Sequence, residues 1–306
     1  MLQIRNDVPL RELTTFKIGG SAQFYTEVRN AEELKDAVDW ARDQGVKMCV
    51  LAGASNVLIP DGGLKALVIH IVEGAHAFEG KSLTADAGCN LLSLIRTASS
   101  NGFGGWEKLA GIPGTIGGAV RGNAGAFGTE IKDVAVSIRA LNAATGEQKT
   151  FSNAESDFSY RHSYFKDHPE WLVTSATVEL RQVNADESAR LIEETIVERE
   201  KRHLQNVRAA GSFFMNPIAP RNIIDMFEAE KGVKSRENRV PAGWLIEKAG
   251  LKGHTVGDAQ ASMQHPNYLV NTGNATAHDV RNLAQLIKLE VYAQFGVELH
   301  EEAALL

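Results

Sequence analysis

The stretch GIPGTIGGAVRGNAGAFG, residues 111–128, constrains this chain more than any other segment. It holds seven glycines (Gly111, Gly114, Gly117, Gly118, Gly122, Gly125 and Gly128) and one charged residue, Arg121. Glycine forfeits backbone entropy on ordering and brings no side chain to pack, so no stable helix is expected here. Such a loop can instead bring backbone N–H groups close to an anion, because side chains beyond Cβ obstruct that approach. A second small-residue loop, LAGASN at 51–56, has the same character, with Gly53 and Ala54 followed by the Ser55 hydroxyl and the Asn56 amide. One loop alone reads equally well as a tight turn in a packed sheet. Two of this composition in one module favour a ligand carrying a diphosphate. Neither is a Rossmann fingerprint: GTIGGA does not give GxGxxG, and no acidic residue follows at the required spacing. The P-loop pattern is absent too.

The elements around these loops are legible from periodicity. Residues 22–28 alternate as a strand. Asn30 then opens a helix, with Glu33 as its capping-box partner, Leu34, Ala37, Val38 and Ala41 on one face, and Gly45 as a stop. Further strands are predicted at 46–51, 64–71, 82–88, 134–141 and 172–180, with a helix carrying Leu91, Leu94, Ile95 and Ala98. A charged periodic run from Glu187 to His203 reads as one helix, and a domain change falls just before it, near 183–186. Two more helices are expected, around 241–250 and 277–295. The second is striped by Val280, Leu283, Ile287 and Val291 and ended by Gly296. The pattern is α+β, and 306 residues allow two or three modules with a real core.

Composition removes several function classes. With 43% hydrophobic and 23% charged residues the chain is an ordinary globular protein rather than a disordered one. A formal charge of −6 with no concentrated Lys/Arg block argues against nucleic acid as a partner. Local basic groups can still bind a phosphate. Cys49 and Cys89 show neither CxxC nor Cys/His spacing, so they read as free thiols, and no metal site is expected. The N-terminus lacks an apolar core of signal-peptide length, and no apolar run approaches the roughly 18 residues of a membrane span. A cytoplasmic protein without a membrane partner is expected.

Set in order along the chain are LTTFKIGG (13–20), LAGASNVLIPDGG (51–63), GIPGTIGGAVRGNAGAFGTEIKDV (111–134), YRHSYFK (160–166) and AGSFFMNP (210–217). WLIEKAGLKGHTVGDAQAS (244–262), VNTGNATAHDV (270–280) and FGVELHEE (295–302) follow. Together they resemble the UDP-N-acetylenolpyruvoylglucosamine reductase (MurB) family over nearly the whole chain. The short stretch between YRHS and AGS is similar to the shorter form of the family, which lacks an inserted tyrosine-bearing loop. The resemblance implies a two-subdomain FAD-binding module of the PCMH/vanillyl-alcohol-oxidase-like type, 1–75 and 76–183, followed by a smaller α+β substrate-binding domain, 184–306. It implies non-covalent FAD, NADPH as co-substrate and a UDP-amino sugar as substrate. Hydride passes from NADPH through the flavin to the vinyl carbon of an enolpyruvyl ether, and a proton goes to the adjacent carbon. The product, UDP-N-acetylmuramate, serves peptidoglycan synthesis, and with it cell-wall biogenesis, cell shape and division. A monomer is expected.

Residue by residue, the resemblance places the cofactor on Gly53, Ala54, Ser55, Asn56 and Val57, and on Gly111, Ile112, Pro113, Gly114, Thr115, Gly117, Gly118, Asn123, Ala124 and Gly125. Arg161 matches the catalytic arginine, whose guanidinium would stabilise charge gathering on the substrate carboxylate. Ser212 matches the proton donor and Glu302 the catalytic glutamate, chosen over its neighbour Glu301 by the LxxE spacing from Leu299. Asn216 and His265 match substrate contacts. Each has a plainer reading: a surface arginine pair, a turn serine, a solvated terminal glutamate, a packing histidine. Departures from the family pattern are Met215 for a common lysine, Asn206 and Ala209 for a proline and a serine, Ala52 and Ala54 for glycines, and Arg121–Gly122 in the second loop. Two alternatives stand beside the reductase: an oxidase on the same flavin fold, and a flavin-binding protein without turnover.

Overall fold

The computed structural model describes residues 2–202 and 207–306. The chain divides into two compact units, one of Met1–Val8, Ala22–Ala54 and Lys65–Lys201, the other of Pro9–Ser21, Ser55–Leu64 and Arg202–Leu306.

The first unit carries two larger sheets, of four and five strands. A four-stranded sheet runs Arg5–Pro9, Ser21–Val28, Leu64–Ile71, Met48–Leu51 in space, the last two strands parallel with Leu51 opposite His70. Asn30 caps the helix Ala31–Asp43 by accepting from the Glu33 N–H at 2.9 Å, while Glu33 reaches back to the Arg29 N–H at 2.7 Å. The second sheet is antiparallel, in the order Gln148–Ser152, Ala135–Asn142, Trp171–Glu179, Ser82–Asp86, His76–Glu79. Against these sheets pack Leu34, Val38, Leu94, Ile95, Trp106 and Phe151, all buried in one core. Phe151 holds Phe165 and Trp171 edge-on at 5.1 Å each.

The glycine-rich stretch departs from expectation: Ile116–Arg121 is a short helix. Thr115 caps it, accepting from the Gly118 N–H at 3.3 Å, and the Gly117 N–H donates to the Ala87 carbonyl at 2.9 Å. A Cβ on Gly117 would lie 2.6 Å from the Ala87 Cβ, so glycine is what lets the helix press against that segment. Burial of Ile116, Ala119 and Val120 offsets the entropy that glycine loses.

In the second unit the helices Arg221–Lys231, Ala242–Lys248 and Ala277–Phe295 pack with a three-stranded antiparallel sheet, Thr255–Val256, Ala259–Ala261 and Leu269–Asn271. Phe213, Phe214, Phe227, Leu245, Leu283 and Ile287 lie in its core. The long helix starts on a Thr276–Asp279 capping box, and Asp61 accepts from the Ala277 and His278 N–H groups at 2.7 and 3.1 Å. A carboxylate on the first turn neutralises orphan donors and suits the positive end of the helix dipole. That contact explains why 55–64 folds with this unit; Phe16, Ile18 and Leu58 join its core.

The helix Ala185–Arg202, placed by sequence at the head of the last domain, groups up to Lys201 with the first unit. Buried Ile192, a Ser188 hydroxyl donating to Glu107 at 2.8 Å and an Arg96–Glu193 ion pair hold it there. His203, its expected end, and Asn206 lie outside the described residues.

Candidate active site

In the first unit the two small-residue loops meet. A Cβ on Gly53 would stand 2.8 Å from the Gly114 Cα, so the backbones touch in a way only glycine permits. Ala54 takes a left-handed conformation at φ 42, and Gly114 a positive φ of 119. Gly111, on the same loop, faces the Arg199 and Ile196 side chains of the Ala185–Arg202 helix. Ile112, Pro113 and Thr115 complete the turn into the short helix, whose start is pinned by Ile116 N–H to the Cys89 carbonyl and by Leu91 N–H to the Gly114 carbonyl. Two abutting turns without bulky side chains fit the close backbone approach that a dinucleotide's phosphates need.

Beyond that helix, Asn123 is fully buried and serves the protein itself. Its amide nitrogen donates to Glu130 at 3.1 Å and to the Ser159 carbonyl at 2.9 Å, and its oxygen accepts from the Lys132 N–H. Ala124 donates to Ala119, and Gly125 pairs with Glu130 in a small hairpin. Asn123 thus ties the loop to the turn that presents Arg161. Arg161 Nη2 donates to the Gly125 carbonyl at 3.2 Å, its guanidinium lies 5.3 Å from the Tyr160 ring centre, and its own carbonyl accepts from Lys166 Nζ at 3.0 Å. Its φ of 56 is left-handed, an uncommon state for a residue with a long side chain. So Arg161 is half-buried on the rim of the second loop.

In the second unit the segment around Ser212 pairs with the C-terminus. Met215 N–H donates to the His300 carbonyl, Glu302 N–H donates to the Phe213 carbonyl at 2.8 Å, and Phe214 bridges Glu301. On its other side the terminal strand Ala304–Leu305 runs parallel to Val57–Leu58, with Ala304 N–H on the Asn56 carbonyl and Asn56 Nδ2 donating to the Glu302 carbonyl at 3.1 Å. The terminus is therefore pinned on both sides, not frayed. Glu301 pairs with Lys288 at 3.0 Å.

Asn216 Oδ1 accepts from the Ala242 N–H at 3.0 Å, seating the first turn of the Ala242–Lys248 helix. His265 lies edge-on to Tyr268 at 4.8 Å, and burial lowers its pKa. Ser55 is half-buried, its carbonyl accepting from the Thr15 hydroxyl. Two residues escaped the sequence reading. Thr15 also donates to the Ala209 carbonyl at 2.7 Å, fixing the chain just before Gly211. Asn267, 2% exposed, grips Phe214 from both sides: its Oδ1 accepts from the Phe214 N–H and its Nδ2 donates to the Phe214 carbonyl, each at 2.9 Å. A polar residue inside the apolar run PNYLV was the available signal.

Burial pushes both thiols, Cys49 and Cys89, above the ordinary range, so neither is a ready nucleophile. No group of three or more potential metal ligands exists among the described residues, and no helix described is long and apolar enough to cross a membrane.

The FAD-binding domain family matches residues 22–152, the region that holds the abutting loops. With an α+β domain following, this is the construction of a flavin-dependent oxidoreductase. The C-terminal domain of UDP-N-acetylenolpyruvoylglucosamine reductase matches residues 202–306. The UDP-N-acetylenolpyruvoylglucosamine reductase of Synechococcus sp. (strain JA-3-3Ab) is 37% identical over 99% of this chain and 91% of its own length. That of Clostridioides difficile (strain 630) is 33% identical over 99% and 93%. The crystal structure of the same reductase, MurB, from Thermus caldophilus matches with a TM-score of 0.77 at 30% identity, covering 100% of this chain and 99% of the other. The chain belongs to the UDP-N-acetylenolpyruvoylglucosamine reductase family.

Proposed function

We propose that this protein reduces UDP-N-acetyl-3-O-(1-carboxyvinyl)-glucosamine to UDP-N-acetylmuramate, with NADPH as reductant and non-covalent FAD as carrier. The abutment of Gly53 on Gly114, with Arg161 bonded to Gly125 on the same loop, is the observation that supports it most directly. FAD held on these loops would supply the hydride transfer between NADPH and the terminal vinyl carbon. The small-residue segments 53–57, 111–118 and 123–125 would hold and orient that cofactor, with Gly53 and Gly114 admitting its close approach. The Arg161 guanidinium binds the substrate carboxylate and stabilises the negative charge that gathers there as the vinyl group is reduced. Ser212 Oγ gives a proton to the carbon bearing the carboxylate, and Glu302 acts on the developing enol. Asn216 and His265 contact the sugar nucleotide; with Met215 in place of a lysine, the diphosphate meets one positive charge fewer.

The flavin module is read as one subdomain per sheet, divided at residue 75, and the domain expected at 184–306 serves the substrate through its part after the Ala185–Arg202 helix, which groups with the flavin module up to Lys201. The protein acts as a cytoplasmic monomer in peptidoglycan precursor synthesis, and so in cell shape and division. Anaerobic titration tests the reading. NADPH should bleach the visible flavin band, and the enolpyruvyl sugar nucleotide should restore it. Bleaching without recovery refutes the substrate, and folded protein that takes up no FAD refutes the cofactor.

A further inference from the structure

A line of polar side chains crosses the four-stranded sheet and ends on the first small-residue loop. Tyr25 and Glu27, two apart on one strand, share a face. From the neighbouring strand Arg5 donates to Glu27 at 3.0 Å and lies 4.6 Å from the Tyr25 ring centre. The Tyr25 hydroxyl stands 2.7 Å from His70 Nδ1 and 3.1 Å from Glu27 Oε1. His70 Nε2 stands 3.1 Å from the Ala52 carbonyl oxygen. Arg5, Tyr25 and His70 come from three adjacent strands, and Ala52 directly follows the fourth.

The proton positions follow from the partners. A carbonyl oxygen only accepts, so His70 Nε2 carries the hydrogen. Burial lowers the imidazole pKa and keeps the ring neutral at pH 7, which makes Nδ1 an acceptor. Tyr25, 1% exposed, has a single hydrogen to share between Nδ1 at 2.7 Å and Glu27 Oε1 at 3.1 Å, and the shorter contact, to a neutral ring nitrogen that accepts, directs it to Nδ1. Both ring nitrogens are used, and donation runs from Tyr25 through His70 to Ala52.

The consequence lies in peptide geometry. The Ala52 C=O and the Gly53 N–H belong to one planar trans peptide and point in opposite directions. Drawing the carbonyl toward His70 turns the Gly53 N–H away from the sheet, at the residue whose missing Cβ admits Gly114. Without that anchor the plane can rotate and offer an anion the negative carbonyl instead. We propose that His70, backed by Tyr25, is a positioning residue that aims the Gly53 N–H at the phosphates of FAD. This rests on the reading that the loop binds FAD.

The test is the FAD dissociation constant of the apoprotein, followed by quenching of flavin fluorescence. Wild type, His70→Leu, His70→Gln and Tyr25→Phe are compared, each checked for folding by circular dichroism. His70→Leu removes the donor and should weaken FAD about tenfold, the worth of one hydrogen bond to a loop carbonyl. His70→Gln keeps an N–H able to reach the Ala52 carbonyl and should recover most of that loss. Tyr25→Phe keeps Nε2–H but leaves Nδ1 without its donor, and should give a smaller loss. FAD affinity unchanged in His70→Leu, or no better in His70→Gln than in His70→Leu, overturns the inference. If His70→Leu does not fold, Tyr25→Phe decides alone: FAD affinity equal to wild type overturns the inference. Wild type that binds no FAD overturns the cofactor reading instead.

Discussion

Replacing Asn267 by alanine removes the clamp on the segment that presents Ser212. The side chain makes two hydrogen bonds to Phe214, and all four atoms involved are buried. Truncation leaves the Phe214 N–H and carbonyl without their partner in the core, and an unsatisfied buried backbone group costs about 1–3 kcal/mol. Phe213 N–H, bonded at 2.7 Å to the Asn267 carbonyl, is a main-chain contact and survives the change. The expected loss is about 2–4 kcal/mol, less than a simple doubling because water can enter the space left by the amide. Urea denaturation of the Asn267→Ala protein should show a lower midpoint at unchanged slope. Because Phe214 bridges Glu301 and Phe213 accepts from Glu302, the loosened segment should also lower kcat more than it raises KM. An alanine protein with wild-type midpoint and wild-type kcat would refute the clamp.

Other substitutions separate the roles assigned here. Gly53→Ala drives a Cβ to 2.8 Å from the Gly114 Cα and should abolish FAD retention in protein that still folds, read from the visible spectrum of the purified enzyme. Glu302→Gln should cut turnover by a hundredfold or more, within the usual range for general acid–base groups of about 10²–10⁴. Glu301→Gln loses only a partly exposed pair with Lys288, about 1 kcal/mol or less, and should keep turnover near wild type; equal losses in both would refute the choice of Glu302. Asp279 has its pKa lowered by the Thr276 N–H and hydroxyl, so its contribution is present above the unfolded carboxylate pKa and is lost as pH falls through the folded value. Asp279→Asn should flatten that acid limb of the stability profile, measured by urea midpoints between pH 6 and 3.

Local signals carried most of the elements. Asn30 capping its helix, the Leu91–Leu94–Ile95–Ala98 face and the Val280–Val291 stripe all rest on neighbours within a few residues, where periodicity speaks directly. Likewise the two glycine loops are legible, because a backbone that must approach closely can tolerate few other residues.

The amino-acid sequence by itself determined the strands and helices, the two loops where a cofactor can come close, and the order of motifs that marks the family. Only the tertiary structure decided what those pieces lean on. It turned part of the glycine-rich stretch into a helix, because burial against Ala87 outweighs an entropy cost that is all a local reading sees. It paired Glu301 with Lys288, 13 residues back on the long helix. It pinned the terminus through Asn56 and the Ala209 carbonyl through Thr15, contacts separated by 246 and 194 residues along the chain. It set His70 under Ala52 by placing two strands side by side. Periodicity reports which face of an element is apolar; which distant group meets a given donor depends on how the elements pack, and no local pattern encodes that.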